Sequence, residues 1–156
     1  PCAAKKQEAS RRSVRSDVDF VVTFEELQAM FDAKEIDLSQ YEAESSFHDA
    51  TGAGRGYACA GGVAEAIEKC INEYYPDVEV SIEHAEGLAE CKKTLTLAKA
   101  GRLNGCLIEG MGCPGGCIAG AGTNIPVLKA KKDLAAYVKN STTPIPPKEL
   151  EEIELE

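Results

Sequence analysis

Residues 109 to 122, Glu-Gly-Met-Gly-Cys-Pro-Gly-Gly-Cys-Ile-Ala-Gly-Ala-Gly, constrain this chain more than any other stretch. Six of the fourteen are glycine. Glycine loses the most backbone entropy in a regular element, so a run this dense belongs where the main chain takes left-handed angles or closely approaches something bulky. Cys113 and Cys117 sit inside the run, separated by Pro-Gly-Gly and flanked by small residues. Both thiols can face one object that neighbouring side chains leave uncovered. A metal centre fits that description better than a substrate does.

Three plainer readings compete. A disulfide is one, although seven cysteines in an intracellular-looking chain speak against it. Half of a zinc site is another, but zinc pairs usually come with a second Cys or His pair at similar spacing. No second pair of CxxC type occurs, and neither His48 nor His84 stands in a ligand-like cluster. The third is a glycine turn with idle thiols. Iron-sulfur ligation is the best reading of the residues.

At 156 residues the chain has room for one ordinary core. A net charge of −9 argues against nucleic acid or an anionic membrane as partner. No apolar run is long enough to span a bilayer, and no secretory leader opens the chain.

The segments that deliver the cysteine loop alternate between strand and helix patterns. Residues 1–16 are basic and polar. Residues 17–22, Asp-Val-Asp-Phe-Val-Val, read as a short buried strand. Thr23-Phe-Glu-Glu26 is a capping box, and Phe24, Leu27, Met30 and Phe31 fall on one core-facing side of the helix that follows. Residues 42–50 read as a surface loop.

The glycine-rich stretch 51–62 enters a helix with apolar Val63, Ala66, Ile67, Cys70, Ile71 and Tyr74. It lacks the lysine of a phosphate loop, so a nucleotide site is not expected there. Val78, Val80 and Ile82 alternate with polar residues as in a half-wet strand, and Leu88 to Ala100 is helical, with Leu88, Cys91, Leu95 and Ala98 along one stripe. Residues 104–108 form a third strand. Thr123 or Asn124 then caps a helix with Pro126 in its first turn. The expected fold is α/β, a small, mostly parallel sheet flanked by helices, with the cysteine loop leaving a strand's carboxyl end.

These residues resemble a known family. The loop 109–122 is similar to the last of three signature loops of the iron-only hydrogenase large subunit. The opening Pro1-Cys2-Ala-Ala-Lys5-Lys6-Gln-Glu8 resembles its second loop, and Thr51-Gly-Ala-Gly54 to Gly61-Gly62-Val-Ala-Glu65-Ala66 resembles the segment between them. The resemblance runs in family order from residue 1 to about 122. Because the chain opens inside a motif, it is expected to be an excised piece. Residues 1–140 would be the carboxyl-terminal lobe of the catalytic domain, and 141–156 an acidic tail.

The resemblance implies a function and a ligand set. Cys2, Cys113 and Cys117 match three ligands of a 4Fe-4S cluster, and Cys117 also matches the bridge to a diiron subcluster carrying carbon monoxide, cyanide and a dithiolate. The fourth ligand would come from the family's first loop, which this chain lacks. Lys5 matches the lysine that donates to a cyanide, Glu8 would support it, and Met111 matches a methionine packed over the diiron unit. Tyr57 stands where the family usually has an aromatic residue.

The cysteines at 59, 70, 91 and 106 read as structural. Reversible H2 oxidation is the implied activity of the parent, with the rest of the polypeptide and a ferredoxin or similar carrier as partners, in the cytoplasm. The isolated fragment would be inactive. Two relatives of different function remain as alternatives: a hydrogenase-like protein of iron-sulfur cluster assembly, and an H2 sensor. Ala121 within the glycine triplet, and Thr123-Asn124 after it, depart from the common pattern and suggest a divergent branch.

Overall fold

The computed structural model of the chain describes residues 2–11, 13, 17–42 and 50–148. Among the described residues, six α-helices and one pair of strands carry the fold. In chain order they are α1 (Ala3–Ser10), α2 (Phe24–Ala33), α3 (Gly52–Arg55), α4 (Gly62–Tyr74), β1 (Ser81–Glu86), α5 (Leu88–Lys99), β2 (Cys106–Met111) and α6 (Val127–Lys139). Short 3-10 turns at Leu38–Gln40, Gly56–Ala58 and Cys117–Ala119 punctuate the connections. The fold is α/β, as the alternation of patterns implies.

The strands β1 and β2 run parallel, in register from Ser81 opposite Cys106 to Glu86 opposite Met111. Helix α5 is the crossover that a parallel pair requires. Both strands therefore end on the same side, and the loop after β2 starts there. The alternation at 78–82 marked the right strand but placed it early: it spans 81–86, because pairing with β2 decides which residues form the ladder.

Small residues make the contacts. Among the described residues the buried apolar side chains are all alanine: Ala53 on α3, Ala64 and Ala66 on α4, Ala85 on β1 and Ala130 on α6. At Gly62 a Cβ would meet the Gly56 carbonyl oxygen at 2.0 Å, so the turn at 56–58 rests directly on the first residue of α4. Arg55, also buried, donates through Nε to the Ala50 carbonyl and through Nη1 to the Tyr137 carbonyl, with its guanidinium 4.4 Å from the Tyr137 ring centroid. That cation fastens α3 to the carboxyl end of α6, where partial negative charge favours it.

Residues 141–148 continue this clamp without forming a helix. The Gly52 and Ala53 amides donate to the Thr143 and Pro144 carbonyls at 2.8 Å each, and the Tyr74 hydroxyl donates to the Pro146 carbonyl at 2.6 Å.

Several expectations do not hold. Residues 17–22 form no strand, and Phe20 is 86% exposed. The capping box of α2 is present, Glu26 N–H to Thr23 Oγ1 at 3.2 Å and Thr23 N–H to Glu26 Oε2 at 2.9 Å. Its apolar side, however, is not core: Phe24, Leu27 and Met30 are all exposed. The sheet has two strands among the described residues, not three.

On α5 the buried residue is Thr94, while Leu88 and Leu95 face outward. Helix α6 begins after Pro126 with no side-chain cap, and the Thr123 hydroxyl instead donates to the Gly120 carbonyl. In each case the local pattern is real but the surface it needs for burial is not supplied by the described residues. His48 and most of the expected loop 42–50 lie outside them.

Candidate metal centre

The cysteine loop is built from the ends of the two strands. Met111 closes β2, and its carbonyl accepts from the Gly87 amide at 2.8 Å, which joins the loop's first residue to the start of α5. From the end of β1, Glu86 reaches over, and its Oε2 accepts from the Gly115 amide at 2.6 Å. On the opposite side the Ala60 amide donates to the Gly115 carbonyl at 3.3 Å. Gly116 is buried, and a Cβ there would sit 2.4 Å from the Ala60 nitrogen and 2.6 Å from the Ala58 oxygen. With φ of +88° at Gly116 and +87° at Gly115, the turn between the two cysteines requires glycine on both steric and conformational grounds.

The two thiols of the turn differ in exposure. Cys113 is half-buried, and its carbonyl accepts from the Gly116 amide at 3.0 Å. Cys117 is exposed and opens the 3-10 turn Cys117–Ala119. Gly120 leaves space beside the first sulfur: a Cβ there would lie 3.6 Å from Cys113 Sγ. All seven cysteines are free thiols.

Cys2 occupies the N-cap position of α1. Its thiol is held below the ordinary value, chiefly by the Lys5 backbone amide and then by that of Ala4. Lys5 lies one turn along and pairs with Glu8. Its ammonium is held above the ordinary value, first by the hydrogen bond to Glu8, and further by the negative charges of Glu8, Cys117 and Cys2. Lys5 is thus the one expected site residue whose charge senses thiols of both loops. A second lysine, Lys6, places both carboxylate oxygens of Glu26 at 2.6 Å and so ties α1 to α2.

Met111 and Tyr57 line separate pockets. Met111 lines a 260 Å³ cavity between α4 and β2, with Val63, Ala64 and Ile67 among its walls. Tyr57 is half-exposed over an apolar groove shared with Ile67, Cys70, Ile71 and Pro146.

Two acidic residues important to the loop escaped the sequence reading as site residues. One is Glu86, which falls on an alternating strand and looks like a wet-face residue. The other is Glu109, whose side chain is only 9% exposed. Its Oε1 accepts from the Val63 amide in the first turn of α4 at 3.1 Å, while Oε2 lies 3.2 Å from His84 Nδ1. The only signal in the sequence was Glu109's place at the head of the glycine-rich run.

Among the described residues, no three of His, Cys, Asp and Glu gather as ligands of a single ion. One ion would hold each thiolate at about 2.3 Å and so draw them together. A four-iron cluster instead separates its ligands by its own width. The donor chemistry fits such a cluster: soft thiols on a glycine-rich turn, one of them exposed, and a lysine whose charge feels Cys2 and Cys117.

A parallel strand pair with a thiol-bearing glycine turn at its carboxyl end, and a further thiol at the start of α1, define an α/β protein rich in soft metal-ligating side chains. Residues 1–121 match the family described as iron only hydrogenase large subunit, C-terminal domain, and the chain belongs to that family. It is 29% identical to the periplasmic [Fe] hydrogenase large subunit of Nitratidesulfovibrio vulgaris, over 78% of this chain and 37% of that protein. It is 28% identical to the NADP-reducing hydrogenase subunit HndD of Solidesulfovibrio fructosivorans, over 93% of this chain and 31% of that one. Iron hydrogenase 1 of Clostridium pasteurianum is 28% identical over 78% of the chain and 27% of its own length. The chain thus spans about a third of the curated relatives it matches. No helix among the described residues is long and apolar enough to cross a membrane.

Proposed function

We propose that this chain is the cluster-bearing carboxyl-terminal portion of an iron-only hydrogenase that interconverts H2 with protons and electrons. The family match across residues 1–121 carries this reading. The cysteine turn at the carboxyl ends of two parallel strands supports it. In this reading residues 1–140 form the lobe and 141–156 its tail.

Cys2, Cys113 and Cys117 would hold three corners of a 4Fe-4S cluster, and Cys117 would also join it to a diiron subcluster. The fourth ligand would come from outside this chain. When bound, the combined centre supplies the heterolytic splitting of H2 and a store for electrons.

The protein's own residues bind and orient it. The thiolate form of Cys2 is favoured by the amides at the start of α1, which prepares it as a ligand. Lys5 remains protonated and offers a long, flexible donor to anionic ligands of the centre, and Glu8 orients it. Met111 would contribute apolar cover at the end of β2, and Tyr57 part of the wall. A low-molecular-weight electron carrier of the ferredoxin type would accept the electrons, and seven free thiols suit a cytoplasmic setting.

Iron and acid-labile sulfide measured after anaerobic reconstitution test the reading. The chain alone should retain less than one full four-iron cluster per polypeptide and show no H2 uptake. The full-length gene product should bind iron and take up H2, and Cys117→Ser should abolish uptake. A stoichiometric, stable cluster in the isolated chain would show that no outside ligand is needed. A full-length product that binds no iron would overturn the assignment.

A further inference from the structure

Helix α5 turns two unlike sides to its surroundings. Cys91, Thr94 and Ala98 recur at helical spacing on the inner side, where Thr94 is buried and the Cys91 thiol donates to the Ala85 carbonyl at 3.5 Å. Leu88, Lys92, Leu95 and Lys99 recur at the same spacing on another side, and all four are exposed, Leu88 by 80% and Leu95 by 63%. Cations and leucines thus alternate along one exposed stripe.

The charge of this region runs against that of the chain. Acids outnumber lysines and arginines 26 to 17 overall, yet between residues 88 and 102 Lys92, Lys93, Lys99 and Arg102 stand against Glu90 alone. None of these four cations pairs with a carboxylate among the described residues, whereas Lys5, Lys6, Lys69 and Lys129 each do. The stripe also begins at the cysteine turn. A Cβ on Gly87 would lie 3.6 Å from Pro114 Cγ, and one on Gly112 would lie 4.0 Å from Leu88 Cδ2. A partner lying along α5 therefore reaches the edge of the turn that bears Cys113 and Cys117. An electron carrier needs such nearness, because electron transfer falls off steeply with the separation of the two centres.

We propose that the exposed side of α5 is a docking surface for an acidic electron-carrier protein, with carboxylates of the carrier on Lys92, Lys99 and Arg102 and an apolar contact on Leu88 and Leu95. This rests on the reading of the chain as part of a hydrogenase, and it adds where the carrier binds. Complementary charge speeds and orients the encounter, and an exposed, salt-screened contact lets the carrier leave after each transfer. Helix α6, with Lys132 and Lys139 exposed, is the rival basic surface.

The full-length gene product, carrying its metal centre, tests the proposal through H2 oxidation with two acceptors, a purified acidic 2[4Fe-4S] ferredoxin and methyl viologen. Charge reversal in Lys92→Glu/Lys99→Glu should raise the KM for ferredoxin about tenfold at low salt and flatten its salt dependence. The same variant should keep its iron content and its rate with methyl viologen, and Lys92→Arg/Lys99→Arg should keep the KM for ferredoxin. An unchanged KM in the reversed variant overturns the docking, as does an equal loss with both acceptors. A rise as large from Lys132→Glu/Lys139→Glu moves the surface to α6 and refutes α5.

Carbodiimide cross-linking of the unaltered protein to ferredoxin, mapped by mass spectrometry, gives a reading that does not depend on how the variants fold. Cross-links from Lys92 or Lys99 support the proposal, and cross-links confined to residues outside 88–102 overturn it. Failure of the functional reading looks different. A product that takes up H2 with both acceptors and ignores the charge of α5 loses the docking alone, and one that cross-links through α5 without H2 uptake by either acceptor loses the hydrogenase reading alone.

Discussion

Glu86 and Gly116 hold the cysteine turn from opposite sides, by different physics. Glu86 does so with one carboxylate oxygen on the Gly115 amide, a contact spanning 29 residues. Removing it in Glu86→Ala should speed exchange of the Gly115 amide roughly three- to tenfold, and Glu86→Gln, which keeps an acceptor oxygen, should recover most of the protection. Amide exchange followed by NMR checks this, and no change in Glu86→Ala would show the contact to be idle.

Gly116 acts by absence. A methyl group there collides with the backbone of Ala58–Ala60, so Gly116→Ala should destabilise the chain by about 1–3 kcal/mol in denaturant titrations, with faster alkylation of Cys113 as the turn loosens. An alanine variant with unchanged stability would mean the neighbouring backbone can move aside. The need for glycine at this turn could be read from the sequence, since the run 109–122 has no other reason to be so rich in it. What could not be read was the object that crowds it, because Ala58–Ala60 lies more than fifty residues upstream.

The elements divide in the same way, between what is local and what needs a partner. The capping box at Thr23 and Glu26 was legible because a helix start is satisfied within four residues. The Glu26 carboxyl is held below the ordinary carboxylate value, first by Lys6 and then by the Thr23 amide. A depressed folded value means that this contribution is complete above the ordinary carboxylate range and is lost as pH falls through the lower folded value. The Thr23 amide resonance and the helical circular dichroism of α2 should therefore titrate together in that acid window, and Glu26→Gln should remove the transition.

Thr23→Ala, measured at neutral pH, should cost about 1 kcal/mol of stability. An unchanged titration in Glu26→Gln would assign the acid transition to another group. The strand pattern at 17–22 and the stripe on α5 were read from equally good periodicity and did not become buried elements here. Periodicity states which side of an element is apolar, and only a second layer can bury it.

For the whole molecule the balance of surface and core is unusual. Among the described residues the buried apolar side chains are five alanines, which bury little area each, while aromatic and aliphatic side chains of α2, α5 and α6 stay exposed. Surface exposed on unfolding sets the denaturant slope, so the isolated chain should show a urea m value clearly below that of a compact domain of the same length. A value typical of 156 residues would mean that the exposed side chains find burial in solution.

The sequence by itself determined the features that close within a few residues: the glycine turn with its two thiols, the helix starts, the alternation of strand and helix, and the family motifs. Only the tertiary structure decided the register of β1 on β2, the placement of Glu86 and Glu109, and the exposure of 17–22. Those depend on contacts between residues far apart in the chain, whose formation requires loop-closure entropy to be repaid by surfaces that one segment's pattern does not specify.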